Sequence, residues 1–355
     1  MAIIDGNNGD NDLYGRLYED NEIYGYDGDD VIVGGYYRDY IEAGAGWDDV
    51  DGDAGNDTIY GDQGDDLIYG GSGNDRLSGD EDNDKLYGED GNDQIDVESY
   101  SQAGDHDWAY GGAGNDLIYG AASGATADIF GDDGNDRLLA GAGAETFDGG
   151  AGFDQVSYVG SGSAVNVNLT NGLGAGGSAQ GDSFSSVEDV RGSRFGDSIT
   201  GDAAANELLG DAGNDRINAG AGNDFIAGGT GNDVLIGGAG ADDLFGGAGA
   251  DLFVFTSAAD LGLSVAARDI IHDFRPNSQG DRIDLSGVDA NSRVGGDQAF
   301  RFVGTGGYSG AGGELRYAVA DGYALISGDI DGDRRSDFAI RIEDATALSA
   351  GQFVL

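Results

Sequence analysis

Aspartate residues recur at nine-residue steps in two long stretches of the chain, and each follows a glycine-rich turn sequence. Carboxylates repeated at a fixed spacing, beside glycine-rich backbone that leaves carbonyl oxygens free, are the hard oxygen ligands that Ca²⁺ prefers. The first stretch contains Asp30, Asp39, Asp48, Asp57, Asp66, Asp75, Asp84 and Asp93 and, beyond an insertion around Val97 to Ser101, Asp116, Asp136 and Asp154. The second contains Asp197, Asp215, Asp224, Asp233, Asp242 and Asp251, with Asn206 at the corresponding position between the first two. Asp107 and Asp128 fit the spacing only loosely.

The repeating unit has the form GGxGxDxUx, in which U is a large aliphatic residue. Its glycines permit the left-handed backbone of a tight turn, and its last three residues predict a short strand whose middle side chain points inward. Two units make one coil, and stacked coils form two parallel sheets. The pattern therefore predicts an all-β fold, a parallel β-roll (β-solenoid) in two arrays. The inward side chains would be Ile32, Ile41, Val50, Ile59, Ile68, Leu77, Leu86 and Ile95, then Ile199, Leu208, Ile217, Ile226, Leu235, Leu244 and Phe253.

Composition limits the classes of function. The 355 residues include 70 glycines and no cysteine, and 67 acidic against 17 basic residues give a formal charge of −50. The lack of cysteine excludes disulfides and thiolate zinc sites, and the negative charge argues against nucleic acid as a partner. We expect neither a membrane span nor a cleavable leader, because no apolar stretch is long enough. One inward side chain per strand makes a thin core and stacked aspartates repel one another, so folding should require cations.

The nonapeptides resemble those of RTX (repeats-in-toxin) proteins, which form calcium-binding parallel β-rolls. The resemblance implies that each ion lies between the turns of successive coils, bound by two aspartates and by turn carbonyls, for example between the turns that begin at Gly52 and Gly70. Roughly ten or more Ca²⁺ ions would bind, in the roughly 0.1 to 1 mM range of extracellular modules. The candidate turn ligands are Gly52, Asp53, Ala54, Gly55, Gly61, Asp62, Gln63, Gly64, Gly70, Gly71, Ser72, Gly73, Gly210, Asp211, Ala212, Gly213, Ala219, Gly220, Ala221, Gly222, Gly228, Gly229, Thr230, Gly231, Gly237, Gly238, Ala239 and Gly240.

The arrays divide the chain into four segments. Residues 1–157 are predicted to form the first roll, with degenerate N-terminal coils, and residues 192–254 the second. Residues 158–191 break the period and indicate a strand-bearing connector. Residues 255–355 resemble the C-terminal region of serralysin-type proteases, which implies a β-sandwich-like cap and an uncleaved signal near Phe353 to Leu355 for type I secretion from a Gram-negative cell. The serralysin catalytic part has no counterpart in this sequence.

Motifs of catalysis are missing from the sequence, so we expect no enzyme. Its two histidines, His106 and His272, belong to no HExxH pair, and no serine stands in a GxSxG frame. His106 is expected to lie in a solvated turn, and His272 on a strand facing solvent. Paired carboxylates recur in every coil, and calcium explains them better than glycoside hydrolysis does.

A second acidic pattern near the C-terminus leaves two alternatives open. Acids at odd positions around a glycine are typical of a calcium loop, but the glutamate that closes an EF-hand loop is missing. A solvated acidic hairpin is therefore an equal alternative to a bound ion. The residues are Asp329, Asp331, Asp333 and Asp337.

Tyrosines take the outward last position of several repeats. Some are expected to form a row along one sheet and could stack on sugar rings, although strand propensity on an exposed face is the simpler explanation. These residues are Tyr60, Tyr69, Tyr87, Tyr110 and Tyr119.

Three functions are consistent with these features. The first is a secreted, extracellular calcium-binding protein that folds on binding its ions outside the cell and has a structural, surface or matrix role. The second is a polysaccharide-binding adhesin, by similarity to the repeat modules of alginate epimerases. The third is a calcium-dependent membrane-active protein. Self-association through calcium-bridged acidic edges is a further hypothesis, and the type I secretion machinery is an expected partner.

Overall fold

The computed structural model describes residues 1–97 and 103–355, and nearly all regular structure within them is β-strand. The part of the predicted insertion that follows Val97 therefore lies outside the described residues. The chain divides into two compact units, one of Met1–Val165 with Gly172–Asp189 and one of Asn166–Asn171 with Val190–Leu355. The predicted connector contributes residues to both units, and the four-segment division stays a prediction. Strands are numbered β1 to β35 in chain order.

The first unit contains two sheets of mainly parallel strands, and each coil gives one strand to each sheet because a glycine-rich turn carries the chain from one to the other. In spatial order, the first sheet contains β1 (Ala2–Asp5), β3 (Asn21–Asp27), β5 (Tyr40–Ala45), β7 (Thr58–Gln63), β9 (Arg76–Glu81), β11 (Gln94–Asp96), β13 (Leu117–Tyr119), β15 (Arg137–Leu139) and β17 (Gln155–Ser157). The second contains β2 (Asp12–Tyr14), β4 (Val31–Gly35), β6 (Asp49–Asp53), β8 (Leu67–Ser72), β10 (Lys85–Asp90), β12 (His106–Ala113), β14 (Thr126–Asp133), β16 (Ala144–Asp148), β20 (Ser183–Ser185) and the antiparallel β19 (Leu173–Ala175).

The second unit repeats this arrangement. Its first sheet contains β21 (Asp189–Arg191), which begins at the last residue of the first unit, then β23 (Glu207–Leu209), β25 (Phe225–Thr230), β27 (Asp243–Ala248), β29 (Ile270–Ile271), β34 (Phe338–Ile342), β33 (Tyr323–Asp329), β32 (Glu314–Ala320) and β31 (Arg301–Phe302). The other contains β18 (Asn166–Asn168), β22 (Ser198–Thr200), β24 (Arg216–Ala221), β26 (Val234–Ala239), β28 (Leu252–Val254), β30 (Arg282–Asp284) and β35 (Phe353–Val354). Short 3₁₀ helices span Gly177–Ala179, Ala258–Asp260 and Ala350–Gln352.

The core of each roll is a row of single side chains between its two sheets. Ile41 pairs with Ile59 and Ile59 with Leu77 along one sheet. All fifteen predicted inward residues are fully buried, which confirms the predicted parallel β-roll. The register step lengthens from 18 to 23 residues across the insertion, yet Ile95 still pairs with Ile118. The insertion thus lengthens one coil without changing which residues face inward.

The C-terminal cap is continuous with the second roll. Strand β29 pairs in parallel with β27, and β30 with β28, so both sheets of the roll extend past residue 255. Strands β32, β33 and β34 then form an antiparallel set, and β34 joins the roll through β29. The final strand, β35, pairs with β30, which places Phe353 at the end of the other sheet.

Replacing Gly73 by alanine should destabilise the first roll. Gly73 has a φ of 144°, and a Cβ there would lie 1.3 Å from the carbonyl oxygen of Gly55. We expect a loss on the order of 3 kcal/mol, measured as a lower thermal midpoint by circular dichroism in the presence of calcium. Gly160→Ala is the control, because a Cβ at Gly160 meets no atom within 4 Å. Equal midpoints for the two variants would contradict the prediction.

Candidate calcium-binding turns

The predicted turn aspartates form hydrogen-bonded ladders along the rolls. The backbone N–H of each ladder residue donates to Oδ1 of the aspartate one coil further on. Asp57 donates to Asp75 over 2.7 Å, and Asp66 donates to Asp84 over 2.8 Å, which confirms the predicted stacking of residues one coil apart. The first unit has one ladder through Asp30, Asp48, Asp66, Asp84 and Asp107 and another through Asn21, Asp39, Asp57, Asp75, Asp93, Asp116, Asp136 and Asp154. The second unit has ladders through Asp197, Asp215, Asp233, Asp251 and Asp281 and through Asn206, Asp224, Asp242 and Asp269.

The second carboxylate oxygen of most ladder aspartates is buried and has no hydrogen-bond partner. Each aspartate of the predicted arrays is at most 3% exposed. A buried carboxylate without a counter-charge costs several kcal/mol, so protein groups alone do not account for this arrangement. The unpartnered Oδ2 atoms belong to Asp30, Asp39, Asp48, Asp57, Asp66, Asp75, Asp93, Asp116, Asp136, Asp154, Asp215, Asp224, Asp233, Asp242, Asp251 and Asp269.

These oxygens fit Ca²⁺, which takes six to eight hard oxygen ligands. Most of the predicted turn residues lie at the C-terminal ends of strands, such as Gly61 in β7 and Gly70 in β8, and the others lie in the turns that follow. Their carbonyl oxygens are therefore close in sequence to the ladder aspartates that come after them. The turns also have the left-handed backbone that the repeat predicts, with φ of 68° at Asp53 and 96° at Gly71. A cation between coils would neutralise two carboxylates at once. The division of ligands among particular carbonyls stays a prediction.

Burial raises the pKa of most ladder carboxyls. It raises the pKa of Asp57 to about 8, that of Asp66 to about 9 and that of Asp93 to about 7, against an ordinary value of 3.8. In each case the backbone hydrogen bond from the preceding coil lowers the pKa, and the neighbouring ladder aspartates raise it further. In the absence of calcium, the folded roll therefore favours protonation of these three carboxyls.

Residues other than aspartate begin the ladders. Asn21 donates both its backbone N–H and its side-chain amide to Asp39. Asn206 donates its backbone N–H to Asp224 over 2.9 Å. At the start of another ladder, the N–H and hydroxyl of Ser193 both donate to the carboxylate of Asp197. Neutral groups thus lie at the start of a ladder, where the preceding coil offers no ladder aspartate to share an ion.

The structure adds ladder residues that the spacing analysis missed. Asp107, which fits the repeat only loosely, accepts the N–H of Asp84 and is 2% exposed. Asp269 and Asp281, in the segment predicted as a separate cap, accept the N–H groups of Asp242 and Asp251 over 3.1 Å. Both aspartates begin the DxU sequence of the repeat, as DII and DRI. They were missed because they lie 27 and 30 residues after their ladder neighbours instead of 18.

The C-terminal acidic loop brings three of its four carboxylates together. Oxygen atoms of Asp329, Asp331 and Asp333 lie within 4.8 Å of one another. Asp329 is fully buried, and its two oxygens accept backbone N–H bonds from Gly332 and Arg334. Asp337 accepts the N–H of Ile330 and closes the loop. Because backbone donors satisfy these carboxylates, the loop geometry is also that of a hydrogen-bonded hairpin, and both sequence alternatives stay open.

Both histidines lie beside carboxylates, His106 at the start of β12 and His272 directly after β29. His106 begins β12 instead of lying in a solvated turn, so that expectation was wrong. Its Nδ1 lies 2.6 Å from Oγ1 of Thr126 and its Nε2 lies 3.3 Å from Oδ2 of Asp128, which faces outward and is not a ladder residue. His272 directly follows β29 instead of lying on a strand that faces solvent, so that expectation was also wrong. Its ring stacks on Phe245, and its Nε2 lies 2.7 Å from Oδ1 of Asp243.

Outward aromatic side chains stack in a row on the second sheet of the first unit. Tyr69, Tyr87, Tyr110 and Phe130 have successive ring centroids 4.9, 4.7 and 4.7 Å apart and nearly parallel planes. The predicted row of tyrosines is thus confirmed for three of the five. Each inner ring covers the faces of its neighbours, so few ring faces are left on which a sugar could stack.

Acidification should favour the calcium-free roll. The folded-state pKa values of Asp57, Asp66 and Asp93, about 8, 9 and 7, lie above the unfolded value of about 3.9. The stability that these carboxyls contribute is therefore fully present below about pH 4 and is lost as pH rises through about 7 to 9. In metal-free buffer, far-UV circular dichroism should show more β-structure at about pH 5 than at about pH 8. A loss of β-structure on acidification would contradict this sign.

Family comparisons cover most of the chain. A model described as RTX calcium-binding nonapeptide repeat matches four copies, at residues 24–59, 60–95, 103–123 and 126–156. A model described as Peptidase M10 serralysin C terminal matches residues 180–355. The serralysin-type region therefore begins well before residue 255, where the sequence analysis placed it, and includes the second roll. Comparison with curated proteins found no match.

Solved structures with partial similarity include two repeat subunits of the mannuronan C5-epimerase of Azotobacter vinelandii. One is 29% identical over 44% of this chain and 77% of that subunit, with a TM-score of 0.24. The other is 24% identical over 47% of this chain and 91% of that subunit, with a TM-score of 0.25. The extracellular lipase of Serratia marcescens is 16% identical, with a TM-score of 0.19, and the match covers 74% of this chain and 45% of the lipase.

No helix among the described residues is long and apolar enough to cross a membrane. The ladders of buried aspartates, the stacked nonapeptide coils and the two family matches agree with one another. The chain belongs to the RTX calcium-binding repeat proteins and has a serralysin-type C-terminal region.

Proposed function

We propose that this protein is a structural component outside the cell, at the cell surface or in an extracellular matrix, whose folding is switched on by calcium. The observation that carries the proposal is the series of buried, unpartnered carboxylate oxygens along both rolls. At low cytosolic calcium these groups repel one another, and the chain stays unfolded for export. At extracellular calcium, ions between the coils neutralise them and the rolls fold.

Export by a type I system is part of the same proposal. The serralysin-type match supports it, because this region is typical of proteins that use that route, and the match extends to the last residue, Leu355. Passage through a narrow exporter requires an unfolded chain. A fold that needs millimolar calcium meets that requirement without a dedicated unfolding step.

The role we propose is not catalytic. His106 and His272 lie in different units, and each has its own carboxylate neighbour instead of a shared constellation. The paired carboxylates that could imitate an acid and base recur along the ladders, where cation binding accounts for them. Binding of a polysaccharide through ring stacking is less well supported, because the aromatic row covers its own ring faces.

Calcium titration of the purified chain tests the proposal directly. Far-UV circular dichroism from a chelated start should show a cooperative transition from coil to β-structure near millimolar calcium, because the cations are required to stack the coils. Magnesium at the same concentrations should not replace calcium, because it prefers a smaller octahedral site and keeps its water. A full β-spectrum in chelator at neutral pH would overturn the proposal.

Substitution within one turn tests the ladder. Asp93→Asn should remove about one bound ion and, at calcium tenfold above the dissociation constant, about 1.4 kcal/mol of stability, because Asp93 is 3% exposed and its Oδ2 is unpartnered. Asp90→Asn is the matched control, since Asp90 lies in the same turn but is exposed. Calcium stoichiometry by equilibrium dialysis separates the two variants. If both bind as many ions as the native chain, Asp93 is not a ligand.

A further inference from the structure

The ladder changes its chemistry at the end of the first roll. Glu145 of β16 takes the ladder position there, and its backbone N–H donates to Oδ1 of Asp182 over 3.0 Å, the same bond that the ladder aspartates make. Asp182 stands just before β20, which pairs in parallel with β16. On the other side of Glu145, β14 presents Ala127, which has no carboxylate. Glu145 and Asp182 are each 1% exposed.

Asp182 differs from the ladder aspartates in its second oxygen. In most ladder aspartates Oδ2 is unpartnered, but Oδ2 of Asp182 accepts a hydrogen bond of 2.8 Å from the hydroxyl of Tyr158. Tyr158 follows β17 directly and is fully buried. A neutral hydroxyl of the chain therefore partners the oxygen that most ladder aspartates leave without a hydrogen bond.

The remaining oxygen of the Glu145 and Asp182 pair can be satisfied by a proton on Glu145. Its Oε1 accepts the backbone N–H of Ala121 over 3.1 Å, and its Oε2 is buried and has no hydrogen-bond partner. The carboxyl groups of Glu145 and Asp182 are neighbours. Burial, and then the charge of Asp182, raise the pKa of Glu145. Among the described residues, the titratable groups that face Glu145 are Asp182 and Tyr158, so no positive side chain opposes this shift. A protonated Glu145 can donate from Oε2 to Asp182, which gives every oxygen of the pair a partner.

We propose that Tyr158, Asp182 and Glu145 form a cation-free clasp that closes the last coil of the first roll. The clasp joins the end of β17 to the start of β20 and so fixes the returning segment between them without an ion. This inference rests on the proposed calcium-dependent function, because it identifies the coil at which the chain replaces calcium by its own hydroxyl and a shared proton. Within this ladder of the first roll, calcium should then act on the coils that precede the clasp.

Glu145→Gln in the full chain separates a clasp from an ion site. Glutamine has the shape of a protonated glutamate and can donate to Asp182, so we expect the same number of bound calcium ions and a calcium midpoint for folding within about twofold of the native chain. Asp136→Asn is the matched control at the same end of the roll, because Asp136 is buried and its Oδ2 is unpartnered. The control should bind about one ion fewer. Loss of an ion in Glu145→Gln as well would overturn the clasp and assign a cation to this pair.

Tyr158→Phe provides a second test that does not depend on the glutamate. It removes one hydroxyl donor and little volume, so the calcium needed for half-folding should rise several-fold while the number of bound ions stays unchanged. A native calcium midpoint, or a lower ion count, would contradict the clasp. If the native chain and Asp136→Asn both fold without calcium, the proposed function fails, whereas a normal control with an ion lost from Glu145→Gln makes only the clasp wrong.

Discussion

A buried carboxylate oxygen without a partner is the constraint on which the rest of this molecule depends. One carboxylate oxygen of a ladder aspartate accepts a hydrogen bond from the backbone N–H of the coil before it, and this bond sets the stacking of the coils. The same bond holds the other oxygen inside the turn, where water and basic side chains do not reach it. The fold of the roll therefore buries unpaired negative charges close together. A cation bound between coils by these oxygen ligands would neutralise them.

The thin core explains why this constraint is not relieved elsewhere. One inward side chain per strand buries little apolar surface, and 70 glycines increase the entropy that folding must overcome. A larger core could tolerate a few uncompensated charges, but this one cannot. Calcium binding and folding are in consequence one event in the function we propose, and the concentration of the ion decides where the chain becomes structured.

The ends of the ladders show how the chain limits its dependence on ions. Where the preceding coil offers no ladder aspartate, an ion would lack its second carboxylate ligand. Asn21, Asn206 and Ser193 supply neutral donors at such positions. The hydroxyl of Tyr158 does the same at Asp182, inside the first unit. In several places of this fold, a neutral hydrogen-bond donor thus satisfies a carboxylate in place of a cation.

The sequence alone determined the repeating part of the protein. A period of nine residues fixes which side chain faces inward and which aspartates stack, because identical coils leave no other register. The sequence alone therefore places Ile59 in the core and Asp57 in a ladder. Where the nine-residue period fails, the tertiary structure decided which residues are neighbours in a ladder. Asp107, Asp269 and Asp281 join the ladders across loops of irregular length, since strand register in space, and not distance along the chain, selects the neighbour. The contact of Glu145 with Asp182 arises in the same way, from a segment that leaves the roll and returns to pair with β16.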